Sequence, residues 1–168
     1  MIIILDHYDS FVFNIIDHIK KCGLQARHAF YDKISIDDIK VLNPSHMILS
    51  PGPKHPSDAP QTHHILDFFK DKIPILGICL GHQIIAQTCG AEIIQTYPQH
   101  GIADKIFHDG KGLFSGLEDG FLAARYHSLS VSRDDFPDDL IIQAENRDHI
   151  IMAIKHKIYP IFGIQFHP

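Results

Sequence analysis

The chain has 168 residues, 45% of them apolar and 21% charged, with a formal net charge of −5 and a pI near 6.2. That length is enough for one domain that buries its own core without metal or disulfide staples, and the acidic balance argues against nucleic acid or an anionic membrane as partner. No apolar run reaches the roughly 18 residues of a membrane span. Met1 leads straight into Ile2-Ile3-Ile4-Leu5 without the basic n-region of a signal peptide. The three cysteines, Cys22, Cys79 and Cys89, are an odd and widely spaced set, which reads as free thiols in a reducing compartment, the cytoplasm.

In chain order, Ile2–Leu5 is a predicted buried strand. Ser10 is the expected cap of a helix on which Phe11, Ile15, Ile16 and Ile19 recur at helical spacing, with Gly23 as its stop. A second strand follows over 25–30, a short helix over 35–42 and a third strand over 47–49, cut off by the Pro51-Gly52-Pro53 turn. A helix over 62–70, a fully apolar strand over 75–78 and a helix over 81–89 complete this half. Helices between short apolar strands imply right-handed βαβ units around a parallel sheet. Past Ala91 the texture changes to short alternating strands, expected over 92–96, 121–125, 141–144, 150–155 and 161–166. The expectation is one α/β domain over 1–168: an open, doubly wound, mostly parallel sheet with antiparallel additions late in the chain.

The fourteen histidines are unusual. Neighbouring His63 and His64 cannot share a helix face, and no Cys-x-x-Cys or His-Glu-x-x-His spacing occurs. They are expected mostly as solvated surface residues, with no metal and no cofactor implied.

The segment Gly77-Ile78-Cys79-Leu80-Gly81-His82-Gln83 carries the chemistry. A buried strand runs into Gly-x-Cys-x-Gly and a helix starts at once, the cysteine form of a nucleophile elbow: glycines on both sides make room for a sharp turn that lifts the reactive atom off the sheet edge. The helix N-terminus is expected to favour thiolate, and the Leu80 N–H to face a developing oxyanion. A lone cysteine is more often a small buried hydrophobe, but the paired glycines in a strand-to-helix setting select catalysis for Cys79 and not for Cys22 or Cys89. A cysteine nucleophile needs a base. His127, expected in a loop, and His167, directly after an apolar strand, are both open; position favours His167, because active groups gather at strand carboxyl ends.

Taken together in this order, Ser50-Pro51-Gly52-Pro53, the Cys79 elbow and Gln165-Phe166-His167-Pro168 resemble the class I, or triad, glutamine amidotransferases, whose sheet is flavodoxin-like. Asp9-Ser10-Phe11 with Asn14, His108-Asp109-Gly110 and Arg125-Tyr126-His127-Ser128-Leu129 are similar to component II of anthranilate synthase and the glutaminase component of aminodeoxychorismate synthase. The resemblance implies that Cys79 forms a γ-glutamyl thioester from L-glutamine while His167 moves protons. It implies an oxyanion hole at the backbone of Gly52 and Leu80, and substrate contacts from Gln83, Ser128 and Leu129. Ammonia would pass to a separate chorismate-binding synthase subunit, component I.

The chain departs from the family pattern at three places. The pattern runs on past His-Pro to a glutamate that orients the histidine and to a terminal helix, so this chain is expected either to lack its C-terminal end or to be an impaired or non-catalytic subunit. Lys54 stands where a small residue is common, and Ile102-Ala103-Asp104 stands where Lys-Thr-Ser is common. A stand-alone γ-glutamyl hydrolase is a third reading.

Overall fold

Alternation along the first strand divides the molecule in two. In the computed structural model, which describes residues 1–168, β1 (Ile2–Asp6) sends Ile3 and Leu5 to one side of the sheet and Ile4 to the other. The remaining elements in chain order are α1 (Val12–Lys21), β2 (Ala26–Phe30), α2 (Ile36–Leu42), β3 (His46–Leu49), α3 (Pro60–Phe69), β4 (Ile75–Ile78), α4 (Leu80–Thr88) and β5 (Ile93–Gln95). Then come β6 (Ile102–His108), β7 (Phe121–Arg125), β8 (Leu129–Val131), β9 (Leu140–Glu145), β10 (Ile151–His156) and β11 (Ile161–Ile164).

Nine strands form one sheet in the order β2-β1-β3-β4-β11-β10-β9-β6-β7, and β5 pairs with β8 in a separate ribbon. The first five run parallel, and β10, β9, β6 and β7 continue antiparallel. The doubly wound α/β expectation therefore holds, with its antiparallel additions late in the chain. Right-handed crossovers put α2, α3 and α4 on one face, where Ile39, Ile65, Leu66, Ile84 and Ile85 pack with Ile3, Leu5 and Leu49. On the other face α1 lays Val12, Ile15, Ile16 and Ile19 against Ile4, Ile48 and Ile78. A groove of about 440 Å³ is lined on this side by Ile2, Ile48, Leu76, Leu113 and Phe162 among others. No helix is long and apolar enough to cross a membrane.

Local chemistry sets some element ends. Ser35 and Asp38 form a reciprocal capping box at the start of α2. Gly23 takes φ +75° after α1, and Leu24 N–H closes back to Ile19 O at 3.2 Å. Ser10 does not cap α1, contrary to expectation: Phe11 occupies the cap position, and Asp9 Oδ1 accepts the Phe11 N–H at 2.7 Å. β6 and β8 were not anticipated. β6 exposes Ile102, Ala103 and Lys105 and buries only Ile106 fully, so its sequence lacks the alternation of a half-buried strand; pairing with β7 and β9 holds it instead. β8 has only three residues. The last strand is also shorter than expected. After Ile164 the chain leaves β4, with Gln165 N–H bonding to Met152 O at 2.8 Å and His167 N–H to Ala124 O at 2.9 Å.

Candidate active site

Three motifs far apart in sequence meet because their strands are neighbours. β3, β4 and β11 lie side by side in parallel, so their carboxyl ends deliver Ser50–Pro53, Cys79 and Gln165–His167 to one edge, where α/β sheets place ligands. Cys79 sits between β4 and α4 at φ +53°, ψ −101°, a strained backbone for a residue with a Cβ. Its N–H is tied to Ile164 O at 2.8 Å. The flanking glycines are required by contact: a Cβ on Gly77 would lie 2.4 Å from the Gly81 carbonyl, and one on Gly81 would lie 2.3 Å from Leu49 O. The elbow closes tightly enough that no larger residue fits either position.

The electrostatics of Cys79 differ from expectation. The thiol is only 6% exposed, and burial pushes its pKa up to about 12, with the Asp9 carboxylate adding to the rise. The Leu80 N–H and the Gln165 amide pull the other way without overcoming it. The helix N-terminus thus does not yield a resting thiolate; desolvation wins.

Five of the fourteen histidines are buried, His7, His82, His127, His156 and His167. Of the two candidate bases, His127 has both ring nitrogens engaged. Arg125 Nε donates to its Nε2 at 3.0 Å, so the proton must sit on Nδ1, which donates to Leu129 O at 2.8 Å. Burial and the Arg125 charge lower its pKa to about 4. Arg125 in turn pairs with Asp104 at 2.7 Å, and Asn146 bonds the same carboxylate oxygen at 2.8 Å. The unusual Asp104 of β6 is therefore the counter-ion of a buried arginine.

His167 is held differently. The Phe11 and Tyr126 rings stand edge-on to it at 4.8 and 5.2 Å, and its Nε2 has no hydrogen-bond partner. Burial lowers its pKa while Asp9 raises it, the net shift being downward, so the imidazole is neutral near pH 7. His167, Pro51 and Ile78, the residue before Cys79, line one cavity of about 140 Å³.

The other expected residues surround the same edge. Gly52 presses on Leu80: a Cβ there would lie 2.6 Å from Leu80 Cδ2 and 2.8 Å from His7 Cβ. Gln83 is buried, and its amide nitrogen donates to Leu129 O at 3.1 Å and to Gln165 Oε1 at 3.0 Å. The Ser128 carbonyl accepts from Thr96 N–H at 2.9 Å, while its side chain is exposed. Lys54 is exposed in the turn after Pro53.

Sequence reasoning missed His7 as part of this site. Ser50 Oγ donates to Pro51 O at 2.7 Å and accepts the His7 backbone N–H at 2.8 Å. His7 Nδ1 must then be the donor to Ser50 at 3.2 Å, leaving Nε2 to accept from Thr62 at 2.9 Å. This network braces the Pro51-Gly52 backbone from beneath; no spacing signal in the sequence could have shown it.

Comparison with known proteins agrees with this geometry. The family model "Glutamine amidotransferase class-I" matches residues 3–168. Anthranilate synthase component 2 of Cyanophora paradoxa is 43% identical over 171 residues, covering 100% of this chain and 90% of that protein. Aminodeoxychorismate/anthranilate synthase component 2 of Bacillus subtilis is 40% identical over 169 residues, covering 100% of this chain and 87% of that protein. A solved structure from Thermoplasma acidophilum, provisionally named as part of a GMP synthase, superposes with a TM-score of 0.88 at 22% identity, over 99% of this chain and 83% of that one. The chain belongs to the class I glutamine amidotransferases.

Proposed function

We propose that this chain hydrolyses L-glutamine through a Cys79 thioester in the cytoplasm and delivers the ammonia to a chorismate-binding synthase subunit that makes anthranilate or aminodeoxychorismate. The single observation that carries the catalytic assignment is the contrast in hydrogen-bond commitment: both nitrogens of His127 are engaged, whereas Nε2 of the neutral His167 is not. His167 is the base available to a thiol that burial keeps protonated.

In the first half-reaction His167 takes the Cys79 proton as sulfur attacks the side-chain carbonyl carbon of glutamine. The tetrahedral oxyanion is met by backbone N–H groups at Gly52 and Leu80. His167 returns the proton to the departing nitrogen, the C–N bond breaks, and ammonia leaves the γ-glutamyl thioester. Water then attacks the thioester, His167 accepts its proton and passes it to sulfur, and glutamate is released. Gln83, its amide hydrogens spent on protein, offers Oε1 to the substrate, and Ser128 and Leu129 flank the α-amino and α-carboxylate groups. The relatives named as component 2 support the choice of acceptor subunit.

Cys79→Ser tests this reading. Glutamine-dependent product formation with the chorismate-binding subunit should fall by at least about 10³-fold, since a hydroxyl lacks the nucleophilicity of the thiol, while ammonia-dependent formation stays unchanged. Glutamine-dependent synthesis at the wild-type rate would overturn it. A wild-type chain that hydrolyses glutamine equally with and without that subunit would select the stand-alone hydrolase. A second reading, an impaired subunit, draws on the same unpartnered His167 Nε2; wild-type Cys79 inert to a glutamine-like electrophile would favour it.

A further inference from the structure

We propose that Gln165 is a positioning residue for the nucleophile: its amide N–H holds the Cys79 sulfur and favours its anionic form, in an orientation dictated through Gln83 by the Leu129 carbonyl. The inference rests on the reading of Cys79 as nucleophile.

Gln165 Nε2 lies 3.6 Å from Cys79 Sγ, and the side chain is fully buried. An amide presents either a donor or an acceptor to a sulfur, and the two have opposite consequences: N–H stabilises thiolate, whereas a carbonyl oxygen repels it. Which end faces Cys79 is fixed by a chain of obligatory partners. The Leu129 carbonyl can only accept, so Gln83 must turn its NH₂ toward it, at 3.1 Å. The second hydrogen of that NH₂ points at Gln165, 3.0 Å away, and demands an acceptor there. Gln165 meets it with Oε1, which turns its own NH₂ to the sulfur. The Leu129 carbonyl is itself pinned, because it also receives the Nδ1–H of His127, whose tautomer is set by Arg125. Every direction in the series Arg125–His127–Leu129–Gln83–Gln165–Cys79 follows from its neighbours, and the series ends in a donor aimed at the nucleophile. The inward turn of the chain after Ile164, where Gln165 N–H bonds to Met152 O at 2.8 Å, keeps the side chain at this depth.

Burial opposes the thiolate, so a donor in hydrogen-bond range matters more here than on an exposed thiol. Gln165→Glu keeps the shape and the bond from Gln83 but replaces the donor with an acceptor of like charge. Gln165→Leu keeps approximate volume and removes both bonds. The measurement is the rate of Cys79 alkylation by iodoacetamide from pH 7 to 10 on the whole chain, read by peptide mass spectrometry. Cys22 and Cys89 serve as internal references, and circular dichroism reports folding. The expected result is a Cys79 profile displaced to higher pH, with the rate at a given pH down by about tenfold, the size expected on losing a hydrogen bond to a charged acceptor. Cys22 and Cys89 should be unchanged. A Cys79 profile superimposable on wild type in either folded variant would overturn the proposal. Alkylation needs no glutamine, so a displaced profile in a chain without glutaminase activity would sink the functional reading while leaving the Gln165 amide as a donor to the Cys79 sulfur. Wild-type alkylation in a Gln165 variant of a working glutaminase would do the reverse.

Discussion

His127 follows Tyr126 in the chain and His167 packs against the Tyr126 ring; each is buried, and each follows a strand of the same sheet. One has become structure and the other has kept a free nitrogen. Arg125 and Leu129 occupy both nitrogens of His127, and the arginine is held in turn by Asp104 and Asn146. His167 has only ring edges beside it, an unpartnered Nε2 and the distant field of Asp9. Burial alone does not decide whether a histidine moves protons. What decides it is whether a nitrogen remains uncommitted at the place where the proton must go.

The largest effect that could break this comparison comes from replacing each histidine in turn. His167→Asn should lower glutaminase turnover by about 10²–10⁴-fold, the range for a general acid–base group, with a thermal midpoint close to wild type. His127→Ala should do the opposite. It strands the Arg125 Nε–H and removes a donor from Leu129 O, at a cost of roughly 1–3 kcal/mol in stability, while turnover falls by less than about tenfold because no proton passes through it. Steady-state kinetics with calorimetry on both variants separates these outcomes. Equal losses of turnover would show that the committed histidine is catalytic after all.

Acid sharpens the contrast from the side of stability. His7 and His127 have their pKa values lowered to about 4, and His82 to about 3, in each case chiefly by burial. A histidine lowered on folding is neutral in the native state and charged in the unfolded chain below about pH 6.5. The unfolded state then binds more protons, so stability is complete above that pH and is lost as pH falls toward 4. The slope is about 1.4 kcal/mol per pH unit for each of the three. Urea unfolding between pH 7 and 5 should show it, and His127→Ala should flatten the line by at most about one third, because His156 and His167 are lowered in the same direction. A slope unchanged in that variant would mean that His127 is not held neutral by its setting.

The fold was legible where pattern and local chemistry agree. Fully apolar runs at 2–5 and 75–78 became interior parallel strands, and the helix expected over 35–42 formed as α2. The Cys79 elbow was legible because two glycines at fixed spacing encode a close backbone approach: a Cβ at either position would fall 2.3–2.4 Å from neighbouring backbone. Other features depended on partners distant in sequence. β6 is held by ladders to β7 and β9 rather than by its own alternation. Ser10 is a good cap on paper, but Phe11 takes the cap position and Asp9 Oδ1 accepts its N–H from outside the helix. The acidity of Cys79 was misjudged because the helix terminus is local and visible, whereas burial is a property of the whole fold. Position favoured His167 but could not show that His127 is committed, since its partners are Arg125 two residues earlier and a carbonyl two residues later, across a bend no periodicity announces.

The smallest expected effect sharpens the comparison most finely, because it uses a charge that touches one histidine and not the other. The Asp9 carboxylate raises the pKa of His167 and also that of Cys79, while the charges that act on His127 are those of Arg125, His167 and Asp104. Asp9→Asn removes the charge and retains a side-chain oxygen for the Phe11 N–H, so the start of α1 should be undisturbed. Without the carboxylate His167 is easier to deprotonate, and the acid limb of the glutaminase pH profile should move to lower pH. The thiol also becomes more acidic, so alkylation of Cys79 should quicken at a fixed pH. Asp9 is only partly buried, and screening limits such a charge to about 1 kcal/mol, or at most about fivefold in either rate. Imidazole resonances followed by NMR across the titration give the decisive reading. Movement of the His167 signal with the His127 signal fixed would show that the field of Asp9 reaches His167 alone. Movement of both would mean that the two histidines share one field, and the division between structural and working imidazole would have to be drawn from hydrogen bonds without help from charge.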